Sequence, residues 1–130
     1  MEKPKRFTHE MLKDFEHDVF VHPSEGNYLH VSMRVPMDPD TLHSKLVDEL
    51  RWRKRYQVGA FRVLNAGTEK AYEVLFRDPV EHGRDEPYPL SRIHLVPSDG
   101  GGTEVHIYGP RSKEPHVVYL LRTIAHALKR

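Results

Sequence analysis

From Tyr28 to Pro36 apolar and polar side chains take turns, with Leu29, Val31, Met33 and Val35 alternating with Tyr28, His30, Ser32 and Arg34. A period of two marks a strand with one face buried, because successive side chains leave a strand on opposite sides. Asp18–His22 reads as its partner strand, the two joined by the turn formers Pro23-Ser24-Glu25-Gly26-Asn27. The period then lengthens. Leu42, Leu46, Val47 and Leu50 share one stripe of a helix over Pro39–Arg51 that Asp38 caps and Pro39 opens. Asp40 suits its positive end, Met37 is placed to staple onto Leu42, and Arg51, Arg53, Lys54 and Arg55 suit its negative end.

A hairpin follows, Gln57–Leu64 and Glu69–Arg77, around Asn65-Ala66-Gly67-Thr68. Asp78–Pro89 holds three prolines and several charges, so it reads as a long loop and a candidate functional one. Strands Leu90–Pro97 and Thr103–Tyr108 flank Asp99-Gly100-Gly101-Gly102. A last helix, Lys113–Lys129, carries Val117, Leu120, Leu121, Ile124 and Leu128 on one stripe. Near the start, Thr8 is placed to cap a short helix with Phe7 and Leu12 as its staple.

The expected fold is therefore α+β, in the order (α)ββ-α-ββββ-α. An antiparallel sheet of five to six strands should carry its two main helices on one face. A length of 130 residues suits one domain, with 1–16 as an N-terminal extension bearing the short helix.

Strand parity then sorts the polar residues. Tyr28, His30, Ser32 and Arg34 fall on the face away from the helices, with Arg62, Glu73, Arg92, His94, Glu104, His106 and Tyr108. Solvated sheet faces are usually rich in Lys, Glu and Thr. This one is rich in His, Arg and Tyr, types that bind anions, stack on rings and titrate near neutrality. The same types also mark protein interfaces.

Charge and cysteine narrow the choices. Twenty basic residues against 19 acidic ones leave +1, so nucleic-acid binding would need a local patch. The run Arg51-Trp52-Arg53-Lys54-Arg55-Tyr56 interleaves cations with aromatics and is one candidate, although a helix C-terminus also favours cations. The absence of cysteine excludes disulfides and thiolate metal sites. No apolar run approaches a membrane span, and the N-terminus leads into no signal-like segment, so a cytoplasmic location away from membranes is expected. Gly100-Gly101-Gly102 is not followed by the Lys-Ser/Thr of a phosphate loop, and no cofactor is expected. Histidines on separate strands give no ligand spacing, and no metal is expected.

Two segments resemble known families. Leu29-His30-Val31-Ser32-Met33 resembles half of the paired motif of the 2H phosphoesterases, which is apolar, His, apolar, Ser/Thr, apolar. The resemblance implies phosphodiester chemistry with His30 and His106 (or His94) as base and acid and Ser32 assisting. The second copy, Val105-His106-Ile107-Tyr108, has Tyr in place of Ser/Thr. The run from Pro97 to Val105, ahead of a strand and a long terminal helix, resembles the end of a START/polyketide-cyclase-like domain. That implies an apolar ligand held between sheet and helix, although this chain offers one helix where that fold has two.

The leading expectation is a binding or regulatory module that recognises an anionic, phosphate-bearing partner, nucleic acid included. Tyr28, Arg34, Arg62, Arg92, His94 and Tyr108 would bind it, and Arg51, Arg53, Lys54 and Arg55 would form the nucleic-acid patch. The alternatives are the phosphodiester-cleaving enzyme, the START-like binder and an oligomerisation domain forming a homo-oligomer.

Overall fold

A computed structural model describes residues 5–13, 15–24, 26–52, 57–66, 69–77, 91–111 and 114–129, and for 50–52, 57–66, 69–70 and 75–77 the backbone alone. The fold is α+β, and every strand pairing in its sheet is antiparallel. The strands are β1 (Lys5–Arg6), β2 (Phe20–His22), β3 (Tyr28–Val35), β4 (Gln57–Ala66), β5 (Glu69–Arg77), β6 (Ser91–Pro97) and β7 (Thr103–Pro110). Helix α1 (Pro39–Trp52) joins β3 to β4, and α2 (Glu114–Lys129) ends the described chain. The spatial order is β1-β2-β3-β7-β6-β5-β4, so the last strand returns to the middle of the sheet beside β3.

Six of these strands follow the expected order. The seventh, β1, lay in the expected N-terminal extension. It is only two residues long and pairs Lys5 with Val21 and Arg6 with Phe20, too short a run for an alternation to show. The expected short helix is a single 3₁₀ turn, Glu10–Leu12, and its cap is His9 rather than Thr8. The His9 ring accepts the Met11 N–H at 3.1 Å through Nδ1, the service a capping oxygen usually performs.

Helix α1 starts where the sequence implies. The Asp38 carboxylate accepts the Thr41 N–H at 3.0 Å and the Thr41 hydroxyl at 2.7 Å. These bonds hold the Asp38 carboxyl below its usual range. Leu42 and Leu46 of α1, with Val117, Leu120, Leu121 and Ile124 of α2, are fully buried in one cluster with Val31, Ile93, Leu95, Val105 and Ile107 of the sheet. The Leu50 side chain lies outside the described residues. The helices are also tied to each other, since His126 Nδ1–H donates to the buried Glu49 carboxylate at 3.0 Å. No helix among the described residues is long and apolar enough to cross a membrane.

One close approach fixes where β7 begins. A Cβ at Gly102 would stand 2.6 Å from the Val35 carbonyl oxygen, so only glycine lets the chain pass the end of β3. Gly100 and Gly101, at φ +86° and +87°, make the turn just before it.

Replacing Leu120 by Ala should destabilise the fold by about 2–5 kcal/mol, the usual loss for a buried large-to-small change. Urea denaturation would measure it, and a loss below about 0.5 kcal/mol would place Leu120 on an exposed face.

Candidate functional site

Because β3 is buried against the helices through its odd-numbered residues, its even-numbered residues all project from the opposite face. The register aligns them with their neighbours in rows. His22 of β2 stands opposite His30, His30 opposite Tyr108, and Tyr108 opposite Arg92. In the next row Ser32 stands opposite His106, His106 opposite His94, and His94 opposite Glu73. Arg34 and Glu104 pair in a third. Directly opposed Cβ atoms in an antiparallel sheet are about 4.5–5.5 Å apart, which is why the rings touch.

His30, Ser32, Arg34, Arg92, His94, His106 and Tyr108 therefore share the open face, and Tyr28 lies exposed at its margin, opposite Pro110. Arg62 takes the register position opposite Glu73, but its side chain lies outside the described residues, as does that of Arg51. Arg53, Lys54 and Arg55 lie outside them entirely.

At the centre is a chain of bonded rings. The Glu104 carboxylate accepts from His106 Nε2–H at 2.7 Å. That assigns the lone pair of a neutral His106 to Nδ1, which accepts from His30 Nε2–H at 2.8 Å. His30 is also sandwiched, its ring stacking on His22 at 4.1 Å and on Tyr108 at 4.2 Å between centroids. The His22 Nε2 lies 2.6 Å from the Ser32 hydroxyl. A second carboxylate, the buried Glu73, accepts from His94 Nε2–H at 2.7 Å. Beside this chain lies an open concavity of about 400 Å³ bounded by Tyr28, Arg92, His94 and Tyr108.

The electrostatics follow from the packing. Burial, reinforced by the neighbouring imidazoles, lowers His30 from 6.5 to about 4. Burial also lowers His106, although the Glu104 carboxylate opposes it, and burial raises Tyr108. At neutral pH His30 and His106 therefore present lone pairs and N–H groups rather than charge. The arginines of the described face are Arg34, 3.8 Å from Glu104, the exposed Arg92, and at the margin Arg6, 3.3 Å from Asp18.

His22 was not among the residues the sequence singled out. Its strand is three residues long, yet Val19 and Val21 on either side of Phe20 already carry the parity that turns His22 to the open face. With His22 in place, one nitrogen each of His22, His30 and His106 lie within 4.8 Å of one another. In the sequence Glu104 is one polar residue among several on this face, whereas in the structure it sets the tautomer of His106. The two histidines of the 2H-like segments sit on adjacent strands of one sheet, their rings bonded to each other, whereas that family's motifs face each other across a groove. The terminal helix packs on the sheet, and the side chains between them belong to the core cluster.

The His30 shift has a consequence for stability. Between about pH 6.5 and about pH 4 the unfolded chain takes up a proton at His30 that the folded chain refuses. Stability therefore rises with pH across that window and is lost as the medium is acidified through it. Urea titrations at several pH values should show a shallower acid loss for His30→Gln than for the parent chain. Identical slopes would mean that the ring is not withheld from the proton.

No family model, no curated protein and no solved structure matches this chain.

Proposed function

We propose that the open face of the sheet is a binding site for an anionic, phosphate-bearing ligand seated in the concavity between Tyr28, Arg92, His94 and Tyr108. The observation that supports this is the composition of that concavity. A guanidinium, an imidazole and two tyrosines bound a space of about 400 Å³ beside the bonded rings of His30 and His106. A guanidinium offers a fork of donors matched to phosphate oxygens. The tyrosines add hydroxyls and flat faces, and Tyr28 is 58% exposed, open to stack on a planar ring. His94 is steadied from behind by Glu73, so its position is fixed before a ligand arrives. The volume suits a small ligand such as a mononucleotide or the end of a strand.

Inorganic phosphate, pyrophosphate, a mononucleotide and a single-stranded oligonucleotide, titrated by calorimetry at low salt, test the reading. At least one should bind, and Arg92→Ala should weaken it about 10- to 100-fold, the worth of one charge-assisted hydrogen bond. Affinity for the oligonucleotide should fall with salt as counterions are released. No binding by any of the four would remove the proposal.

Phosphodiester cleavage is the second reading, favoured by the Glu104–His106–His30 chain, in which an imidazole is oriented by a carboxylate as in many general bases. Binding leads because the two imidazoles are bonded to each other rather than placed on either side of a phosphorus. Turnover of a cyclic or linear oligonucleotide that His30→Ala abolishes, with binding only modestly weakened, would reverse that order. No turnover by the parent chain would end the second reading, and turnover unchanged in His30→Ala would remove His30 from it.

A further inference from the structure

We propose that His22, His30 and His106 form a binding site for a divalent transition-metal ion of the zinc type, with one coordination position left open on the exposed side. This goes beyond the phosphate reading and does not rest on it.

The first support is convergence. One nitrogen from each ring lies within 4.8 Å of the others. A tetrahedral zinc with Zn–N of about 2.0–2.1 Å holds its nitrogens about 3.3 Å apart. The His30 Nε2 and His106 Nδ1 are 2.8 Å apart, so the ion needs them to part by about half an ångström. The proton between them occupies the place the metal would take. On binding, the His30 ring passes its hydrogen from Nε2 to Nδ1 and stays neutral, and no net proton is released.

The second support is the surroundings of the ligands. Metal-bound imidazoles nearly always give their remaining N–H to a carboxylate, a carbonyl or water, which fixes the tautomer and raises ligand basicity. Glu104 already does this for His106, accepting Nε2–H at 2.7 Å and leaving Nδ1 aimed at His30. The Ser32 hydroxyl, 2.6 Å from His22 Nε2, steadies the third ring. The three residues sit on three neighbouring strands anchored through core-facing side chains, so the backbone needs little ordering. The His22 ring, stacked on His30 at 17° between planes, must turn for both lone pairs to meet one ion.

The third support is ligand type. Three imidazoles without thiolate or directly coordinating carboxylate suit zinc, copper or nickel and disfavour magnesium and calcium, which take oxygen. Three protein nitrogens leave a tetrahedral ion one position for water or an anion. Tyr108, which bounds the neighbouring concavity, stacks on the ligand ring of His30.

The chelator-treated full chain, titrated with zinc and with cobalt(II) in phosphate-free buffer, tests the site. Calorimetry should give one tight equivalent, and cobalt should develop visible absorption of low-coordinate imidazole geometry. Glu104→Gln should weaken binding about 10- to 100-fold. His22→Gln and His106→Gln should each weaken it further, and His17→Gln should leave it unchanged. No binding, or affinity unchanged in both ligand variants, would overturn the proposal. If either ligand variant fails to fold, NMR of the histidine ring nitrogens in the parent chain decides. Zinc must shift His22, His30 and His106 together, and shifts confined to other histidines would overturn the site. Since no phosphate is present, failure here leaves the Arg92 reading standing, and failure of Arg92→Ala to weaken phosphate binding leaves this one standing.

Discussion

From Tyr28 opposite Pro110 to Val35 opposite Thr103, β3 and β7 pair without a break, and both faces of the sheet depend on that register. In phase, Val31 with Ile107 and Met33 with Val105 enter the core, while His30 with Tyr108 and Ser32 with His106 face outward. A slip of one residue would exchange the two sets and drive imidazoles under the helices. The structure pins the register at both ends. The Thr103 hydroxyl donates to the Met37 carbonyl at 2.6 Å, beside the contact that demands glycine at 102. At the far end the Arg111 N–H donates to the Asn27 carbonyl at 2.6 Å, and its guanidinium reaches the Tyr28 carbonyl at 3.2 Å.

Given that register, the outward face cannot remain an ordinary wet surface. Four rings from β2, β3 and β7 are brought to within stacking distance, and each shields the next from water. Half-buried imidazoles lose hydration, so the neutral form wins unless a carboxylate compensates. Glu104 compensates in part at His106, while His30 lies between other rings and takes the full effect. Packing and protonation are therefore one property of this face.

Much of this was legible before any coordinates. The alternation in β3, β6 and β7 is long enough to state parity, so the sharing of one face by His30, Ser32, His94 and His106 follows from the residues alone. What escaped lies where the chain is short or where pairing, not pattern, decides. Lys5–Arg6 makes a strand only because β2 offers an edge, and His9 caps a turn that Thr8 seemed placed to cap. In the sequence His22 is a histidine beside Pro23 at the end of a short strand. Its stacking on His30 is a property of strand pairing, which no local pattern contains. Nor does composition tell that Glu73 and Glu104 each hold an imidazole, since a carboxylate in a polar strand position reads as solvation.

The bonding on the open face also bears on self-association. A protein interface gathers aromatic and apolar groups at its centre, where water is excluded, and leaves charge at the rim. Here the centre is imidazole and carboxylate already bonded to one another, with Tyr108 stacked on His30, and Tyr28 stands at the margin. A second copy laid on this face would bury Glu104 and Glu73, each already engaged with a histidine, in return for contact with Phe20 and Tyr28, which are 38% and 58% exposed. A small ligand faces no such cost. The proposed anion at Arg92 would leave the carboxylate–imidazole bonds intact, and the proposed cation would take the place of the one hydrogen bond between His30 and His106.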